Sequence, residues 1–187
     1  MLLGLIIEQA AGQPYGAFLT REVFQPLGLA ATFSGNPGGE PDLAVGRHDG
    51  APVPSFELDT VNLGTGSIWS TVGDPARWDR ALASSEILSD TARQAMFSAH
   101  VPTRDADGLI RTEGYGYGWF IGTIPGGHRI FYHPGDQAGF CSLNAWFPDD
   151  NVRLAVLSNE RATDLDPIVN HLVRTAFPAL TRAAQHD

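Results

Sequence analysis

The chain has 187 residues, 43% of them hydrophobic and 18% charged, with a net charge of −9; it holds enough apolar material for one sizeable core, and its surface repels phosphate backbones, which sets nucleic acid aside as a partner. All twelve cationic side chains are arginine, so no lysine is present to act as a base, a Schiff-base amine or a P-loop cation. A single cysteine, Cys141, excludes an intrachain disulfide and a thiolate metal cluster, and no run of about 18 apolar residues is available to span a membrane.

Leu2, Leu3, Ile6 and Ala10 recur at helical spacing, and Gly12 stands where a C-cap belongs. This apolar run is short, has no positive charge before it and ends in Glu8 and Gln9, so it reads as a helix and not a signal peptide; a cytoplasmic location is the expectation. Pro14 opens a second helix carrying Tyr15, Phe18, Leu19 and Val23, closed by Pro26 and Gly28. From Phe33 to Gly66 glycine and proline dominate, with turn signals at Gly35-Asn36-Pro37-Gly38-Gly39 and Pro52-Val53-Pro54, and at most short strands are expected.

Asp74 as N-cap and Pro75 as first helical residue predict a helix through Trp78 and Leu82; Ser89 caps another through Met96. Both are expected to be amphipathic and surface-lying. Beyond a polar loop at Arg104 to Gly108, strand-like runs follow at Tyr115 to Gly122, Arg129 to His133, Gly139 to Phe147 and Val152 to Ser158, the last pair joined by the turn Pro148-Asp149-Asp150-Asn151. In the third run Cys141, Leu143, Ala145 and Phe147 share one face, while the mostly apolar fourth predicts a buried central strand. Asp166 and Pro167 start a closing helix with Ile168, Leu172 and Ala176 on one side, ended by Pro178. With no repeat and no linker, the order predicts a single α+β unit, an antiparallel meander flanked by helices.

Three blocks carry a family resemblance. Leu2-Leu3-Gly4-Leu5-Ile6-Ile7-Glu8, Gly12, Pro14-Tyr15, Phe18 and Phe24-Gln25-Pro26-Leu27-Gly28-Leu29 with Thr32 form the first. Gly66-Ser67-Ile68-Trp69-Ser70-Thr71 with Asp74, Ala76, Arg77 and Trp78 form the second, and His133-Pro134-Gly135 with Gly139-Phe140, Pro148 and Leu157-Ser158-Asn159 the third. Together they resemble the C-terminal portion of the serine β-lactamase-related superfamily, which includes class C β-lactamases, D-alanyl-D-alanine carboxypeptidases and related esterases. The resemblance implies a β-lactamase/transpeptidase-like fold that is incomplete here, without the N-terminal strands and the nucleophile helix.

In that family the nucleophile lies in S-x-x-K, where the lysine amine takes the serine proton, and a Y-x-N tyrosine helps to shuttle it. With no lysine, S-x-x-K is impossible within these residues; none of Tyr15, Tyr115, Tyr117 and Tyr132 has asparagine two positions later, and the family's Y-x-N would fall just before Met1. The third motif, K-T-G in β-lactamases, matches His133-Pro134-Gly135 in an H-x-G form.

The resemblance therefore places His133 in the cleft wall, where its imidazole donates to a substrate carbonyl or carboxylate with less permanent positive charge than a lysine, favouring esters or amides over anionic β-lactams. It places Gly135 where the backbone must admit substrate, and the N–H of Asp136 where the second oxyanion-hole donor belongs, each such donor contributing about 3 kcal/mol. Pro134 departs from the family's threonine and removes an N–H and a hydroxyl; the bland reading is a sheet-edge proline. Tyr115, Tyr117 and Trp119, spaced by glycines, with Gly139 and Phe140, are the substrate-binding candidates, although aromatics of this kind are more often core. Taken alone, a histidine at a strand end is more often structural, and only the glycines and Phe140 around His133 reverse that reading.

Ser70, Thr71 and Asp74 read better as a turn and helix cap than as a nucleophile with its acid. His48, His100, His128, His171 and His186 lack H-x-x-x-H or H-E-x-x-H spacing, so no metal and no cofactor is expected. The expected partner is a small-molecule or peptide substrate, with self-association or pairing with the missing N-terminal half where a sheet edge stands open. Two functions remain: a serine hydrolase of which these residues form the H-x-G wall, or a truncated, non-catalytic relative that acts as a binding module.

Overall fold

The computed structural model describes residues 2–35, 43–54, 63–103 and 108–183, with side chains to residue 180. The expected turn at Asn36 to Gly39, most of the polar loop from Arg104 and the site of His186 lie outside the described residues. The chain gathers into two compact units, one made of Met1–Trp78, Gly135–Ser142 and Leu157–Thr163, the other of Asp79–Pro134, Leu143–Val156 and Asp164–Asp187.

The first unit begins with helix α1 (Leu2–Ala11), as its apolar periodicity predicts, and α2 (Tyr15–Leu19). The second helix does not continue unbroken to Pro26: residues Thr20–Phe24 widen into a π turn, in which the N–H of Gln25 reaches back five residues to the carbonyl of Thr20 at 3.0 Å. Pro26 has no N–H to continue the regular ladder. Short strands β1 (Phe33–Ser34) and β4 (Ile68–Trp69) pair antiparallel, Phe33 opposite Trp69. Between them β2 (Arg47–His48) and β3 (Ala51–Pro52) form a hairpin whose turn residues, Asp49 and Gly50, both have positive φ, 51° and 77°, the conformation that an Asp-Gly pair favours in two-residue hairpins. The Glu160 carboxylate clasps this turn, accepting the N–H of Asp49 at 3.0 Å and of Gly50 at 2.8 Å.

Helix α3 (Gly73–Ala83) starts two residues earlier than expected, so Asp74 lies within its first turn and is not its N-cap. The Asp74 carboxylate leaves the helix instead, accepting from the Ala31 N–H and the Thr32 hydroxyl, both at 2.8 Å. Nor is α3 surface-lying, since Asp74, Asp79, Ala81 and Leu82 are all buried. Helix α4 (Asp90–Met96) has no buried residue and is capped as predicted, Ser89 accepting from the Ala92 N–H at 3.2 Å.

Five strands make one sheet in the order β5-β6-β7-β8-β9: β5 (Arg111–Tyr115), β6 (Phe120–Ile124), β7 (His128–Gln137), β8 (Phe140–Phe147) and β9 (Val152–Ser158). The single run expected over Tyr115 to Gly122 is in fact the end of β5, a turn and the start of β6, broken where Gly118 takes a φ of 80°. The apolar β9 is an edge strand, not a central one, and its residues are half-buried apart from the exposed Leu157. Pro134 is correspondingly not on a sheet edge: it lies on the central β7, tolerated there because pairing with β6 ends at Phe120 opposite Tyr132.

Alternation of side chains sorts the second unit's core. Ile124, Ile130, Leu143, Ala145 and Phe147 meet Val169, Val173, Phe177 and Leu180 from α5 (Asp166–Ala176) and α6 (Pro178–Ala183). Their neighbours in the strands, Phe131 and Trp146, join Phe97 in an aromatic cluster, with ring centroids 4.4 to 5.5 Å apart. Helix α5 buries Val169 and Val173, one residue on from the expected Ile168 and Leu172 stripe; Ile168 is exposed, because Phe177 and Leu180 extend the Val169 row into α6.

Candidate active site

His133 projects from β7 one residue beyond its last pair with β6. Tyr115 ends β5 directly opposite Phe120, and Phe120 lies opposite Tyr132, so the register brings the rings of Tyr115 and Phe120 beside the imidazole. Phe120 stacks on Tyr132 at 5.3 Å, takes the edge of Tyr115 at 4.7 Å and lies 5.7 Å from His133. The Tyr132 hydroxyl is fixed in turn by the buried Thr112 at 2.5 Å. Nε2 of His133 is 3.0 Å from the Tyr115 hydroxyl, and Nδ1 is 2.5 Å from the Pro134 carbonyl oxygen. A carbonyl only accepts, so Nδ1 carries a proton and the neutral ring, contrary to the expectation that it donates to substrate, has no second N–H to give.

The other two aromatic candidates are placed differently. Tyr117 is 61% exposed and stacks on His100 at 4.3 Å, whose Nε2 hydrogen-bonds the Ala95 carbonyl. Trp119 is 7% exposed and packs against Phe97 at 5.6 Å, within the core.

In the first unit, Gly135 lies on β7 facing Ser142, where a Cβ would collide with the serine hydroxyl. Asp136 forms a forked ion pair with Arg161, Nε to Oδ1 at 2.7 Å and Nη2 to Oδ2 at 3.2 Å, and hydrogen bonding to this carboxylate raises the pKa of the guanidinium further. Gly139 closes the β7–β8 hairpin at a φ of 80°, against the backbone of Gly46, and its carbonyl accepts the Arg47 N–H at 3.0 Å. Phe140 meets the edge of Trp69 at 5.3 Å. The glycine-rich stretch Gly64 to Ile68 lines a cavity of about 260 Å³ with Tyr15.

Sequence reasoning did not find Arg161 or Glu160, which become visible only once the segment after β9 returns to the β2–β3 turn. Backbone N–H groups of Ala162, Gly50 and Asp49 hold the Glu160 carboxyl below the usual carboxylate range. Asp79 was also missed. It is 0% exposed; Oδ1 accepts from the Asn144 side chain at 2.9 Å, while Oδ2 and the Asn144 Oδ1 have no hydrogen-bond partner among the described residues. Burial pushes its pKa to about 6, against the opposing pull of Asn144 and the Arg153 charge.

Ser70 and Asp74 form a clasp and not a nucleophilic pair: the Thr32 hydroxyl lies 2.8 Å from each. Burial raises the Cys141 thiol, with Asp136 and Glu160 adding to the shift, which leaves it a poor nucleophile. Among the described residues no group of three His, Cys, Asp or Glu side chains is arranged to hold a metal, and no helix is long and apolar enough to cross a membrane.

A family model described as Beta-lactamase matches residues 1–176. The chain belongs to the beta-lactamase family. Penicillin-binding protein 4* of Bacillus subtilis (strain 168) is 30% identical over 176 residues, covering 86% of this chain and 38% of the relative. The D-alanyl-D-alanine-carboxypeptidase/endopeptidase AmpH of Escherichia coli (strain K12) is 24% identical, covering 81% of this chain and 41% of its own length. The chain thus spans about two-fifths of the curated relatives it matches.

Among solved members with this fold, the octameric penicillin-binding protein homologue from Pyrococcus abyssi superposes with a TM-score of 0.81 at 22% identity, over 95% of this chain and 41% of that one. D-amino acid amidase from Ochrobactrum anthropi SV3 gives 0.74 at 23%, over 95% and 58%. These structural likenesses show the β-lactamase-related α+β fold, an antiparallel sheet with flanking helices.

Proposed function

We propose that this chain is the H-x-G-bearing portion of a serine hydrolase that acts on an ester, amide or peptide bond. On this reading His133, Gly135 and the Asp136 N–H form one wall of the cleft, while the attacking serine and its lysine are supplied by polypeptide other than these residues. The observation that carries the reading is His133-Pro134-Gly135 on β7 leading into the Gly139-Phe140 turn, at the third-motif position of a family whose relatives include a penicillin-binding protein and a carboxypeptidase. The absence of lysine supports the division of labour, because nothing here deprotonates a serine in the family's manner.

The wall presents an imidazole in place of a permanent cation. Tyr115, beside His133, and Phe140 are the contacts proposed for substrate. The wall also requires a partner surface. Leu2 and Leu3 on α1 are 71% and 72% exposed, and β9 leaves one sheet edge open, which supports association with further polypeptide of the same protein or with copies of itself; one relative is octameric.

The test is labelling by a fluorophosphonate probe together with turnover of an activated ester. The expected result is no adduct on these 187 residues alone, and labelling once an S-x-x-K-bearing portion of the same protein is present. An adduct on any serine of the isolated chain would overturn the proposal. Failure to label with both portions present would favour the binding-module reading.

A further inference from the structure

The Tyr115–His133–Pro134 arrangement has a chemical consequence that rests on the reading of His133 as a cleft residue and deepens it. The Pro134 carbonyl oxygen lies 2.5 Å from Nδ1 and has no hydrogen to give, so the bond exists only if Nδ1 is protonated. In a neutral ring Nε2 is then a lone-pair acceptor. Among the described residues, the hydrogen it accepts is that of the Tyr115 hydroxyl, 3.0 Å away. Both partners are themselves held. Tyr115 sits at the end of β5, two residues past the irregular pairing between Thr112 and Gly114, and its ring packs edge-on against Phe120. Pro134 follows His133 directly, with φ fixed by its ring.

We propose that Tyr115 is a positioning residue for His133: with the Pro134 carbonyl it locks the neutral imidazole as the Nδ1–H tautomer and occupies Nε2 with the phenol O–H. The nitrogen facing Tyr115 therefore meets a ligand only after the hydroxyl turns away, and it then meets it as an acceptor. A substrate group that replaces the phenol must bring its own hydrogen, as an alcohol, an amide N–H or an ammonium does. A carboxylate has no such hydrogen and would face a lone pair. The neutral wall is selective for donors, whereas a lysine at this position is a permanent donor.

The test uses the chain without substrate. In a nitrogen-15 histidine spectrum at a pH of about 9, above the ordinary imidazole range, His133 is identified by its loss in His133→Gln. It should show a pyrrole-type Nδ1 and a pyridine-type Nε2. Tyr115→Phe retains the ring against Phe120 and removes only the O–H; it should shift the Nε2 signal toward that of a free acceptor and weaken the pyrrole-type Nδ1 signal as the second tautomer becomes populated. Replacing tyrosine by fluorotyrosine, compared at a pH of about 7.5 so that the more acidic phenol keeps its proton, strengthens the donor with little change of shape; it should move the same Nε2 signal and serves if Tyr115→Phe does not fold. A pyrrole-type Nε2 in the unmodified chain, or an Nε2 signal indifferent to both changes, overturns the proposal. Neither readout depends on hydrolysis, so loss of the serine hydrolase reading would be recognised separately, by the probe.

Discussion

Replacing Asp79 by asparagine should make the protein more stable at neutral pH and flatten its pH dependence. The carboxyl group is 0% exposed, with one oxygen bonded to Asn144 and the other opposite no donor, while the Asn144 side-chain oxygen also lacks one. Two buried acceptors without hydrogens are costly, and a proton on Oδ2 would supply the missing donor. The folded pKa is raised from 3.8 to about 6. At about 1.36 kcal/mol per pKa unit, ionising Asp79 in the folded state costs about 3 kcal/mol more than in the unfolded chain. The direction follows from proton counting. Between these two pKa values the folded state keeps the proton and the unfolded state releases it, so the stability this group confers is complete below about pH 4 and is lost as pH rises through about 6. Asparagine is nearly isosteric with the protonated acid and cannot ionise. Urea unfolding from about pH 3.5 to 8 should therefore show nearly equal stabilities at the acid end and a variant more stable by about 1–3 kcal/mol at the alkaline end. If Asp79→Asn is instead less stable at pH 8, the charge is compensated by Arg153 or solvent, and the argument from burial fails.

Gly135→Ala should cost no more than about 1 kcal/mol, because the Ser142 hydroxyl it meets can rotate away, and Ser142→Ala in the same chain should remove that cost, as a double-mutant cycle by denaturant unfolding would measure. Phe147→Ala, at a fully buried site against Phe177, should lose about 3–5 kcal/mol, read as a lower urea midpoint. Ser89→Ala should cost about 1 kcal/mol by removing the cap of α4, visible as a small drop in melting temperature. Arg161→Ala breaks an ion pair whose side chains are about half exposed, so the melting temperature should barely move; a clear drop in thermal unfolding would assign the pair a structural weight that this exposure does not support.

The parts of the fold legible in the sequence were those where one physical preference acted alone. The alternation of Leu143, Ala145 and Phe147 gave a strand face because nothing in that run competes with it, and Ser89 ahead of a helical stretch marked a cap. Strand β5 escaped notice because Arg111, Thr112 and Glu113 are polar, as suits a strand at the rim of a sheet, while Gly116 and Gly118 disguised a turn as part of a longer strand. Val152 to Leu157 was taken for a central strand because its apolar side chains were read as burial on both sides; the half-buried edge strand shows that composition does not reveal how many neighbours a strand has. At the site, His133 stood out by its glycine context. Its bond to Tyr115 did not, because that contact depends on the pairing of Tyr115 with Phe120 and of Phe120 with Tyr132 across two hairpins. Asp79 gave no signal at all, since a carboxylate in an amphipathic helix ordinarily faces water.

The clasp of Glu160 on the Asp49-Gly50 turn also bears on how the polypeptide can be made. The unit that contains this turn is stitched from three stretches of chain, the last of them some 110 positions downstream of the hairpin it holds. During synthesis the early helices emerge well before the residues that complete their surroundings, and contacts of such long separation are slow to form. A nascent chain halted before Glu160 would keep that first unit open to proteases, and protection on the ribosome should be gained late and in a single step.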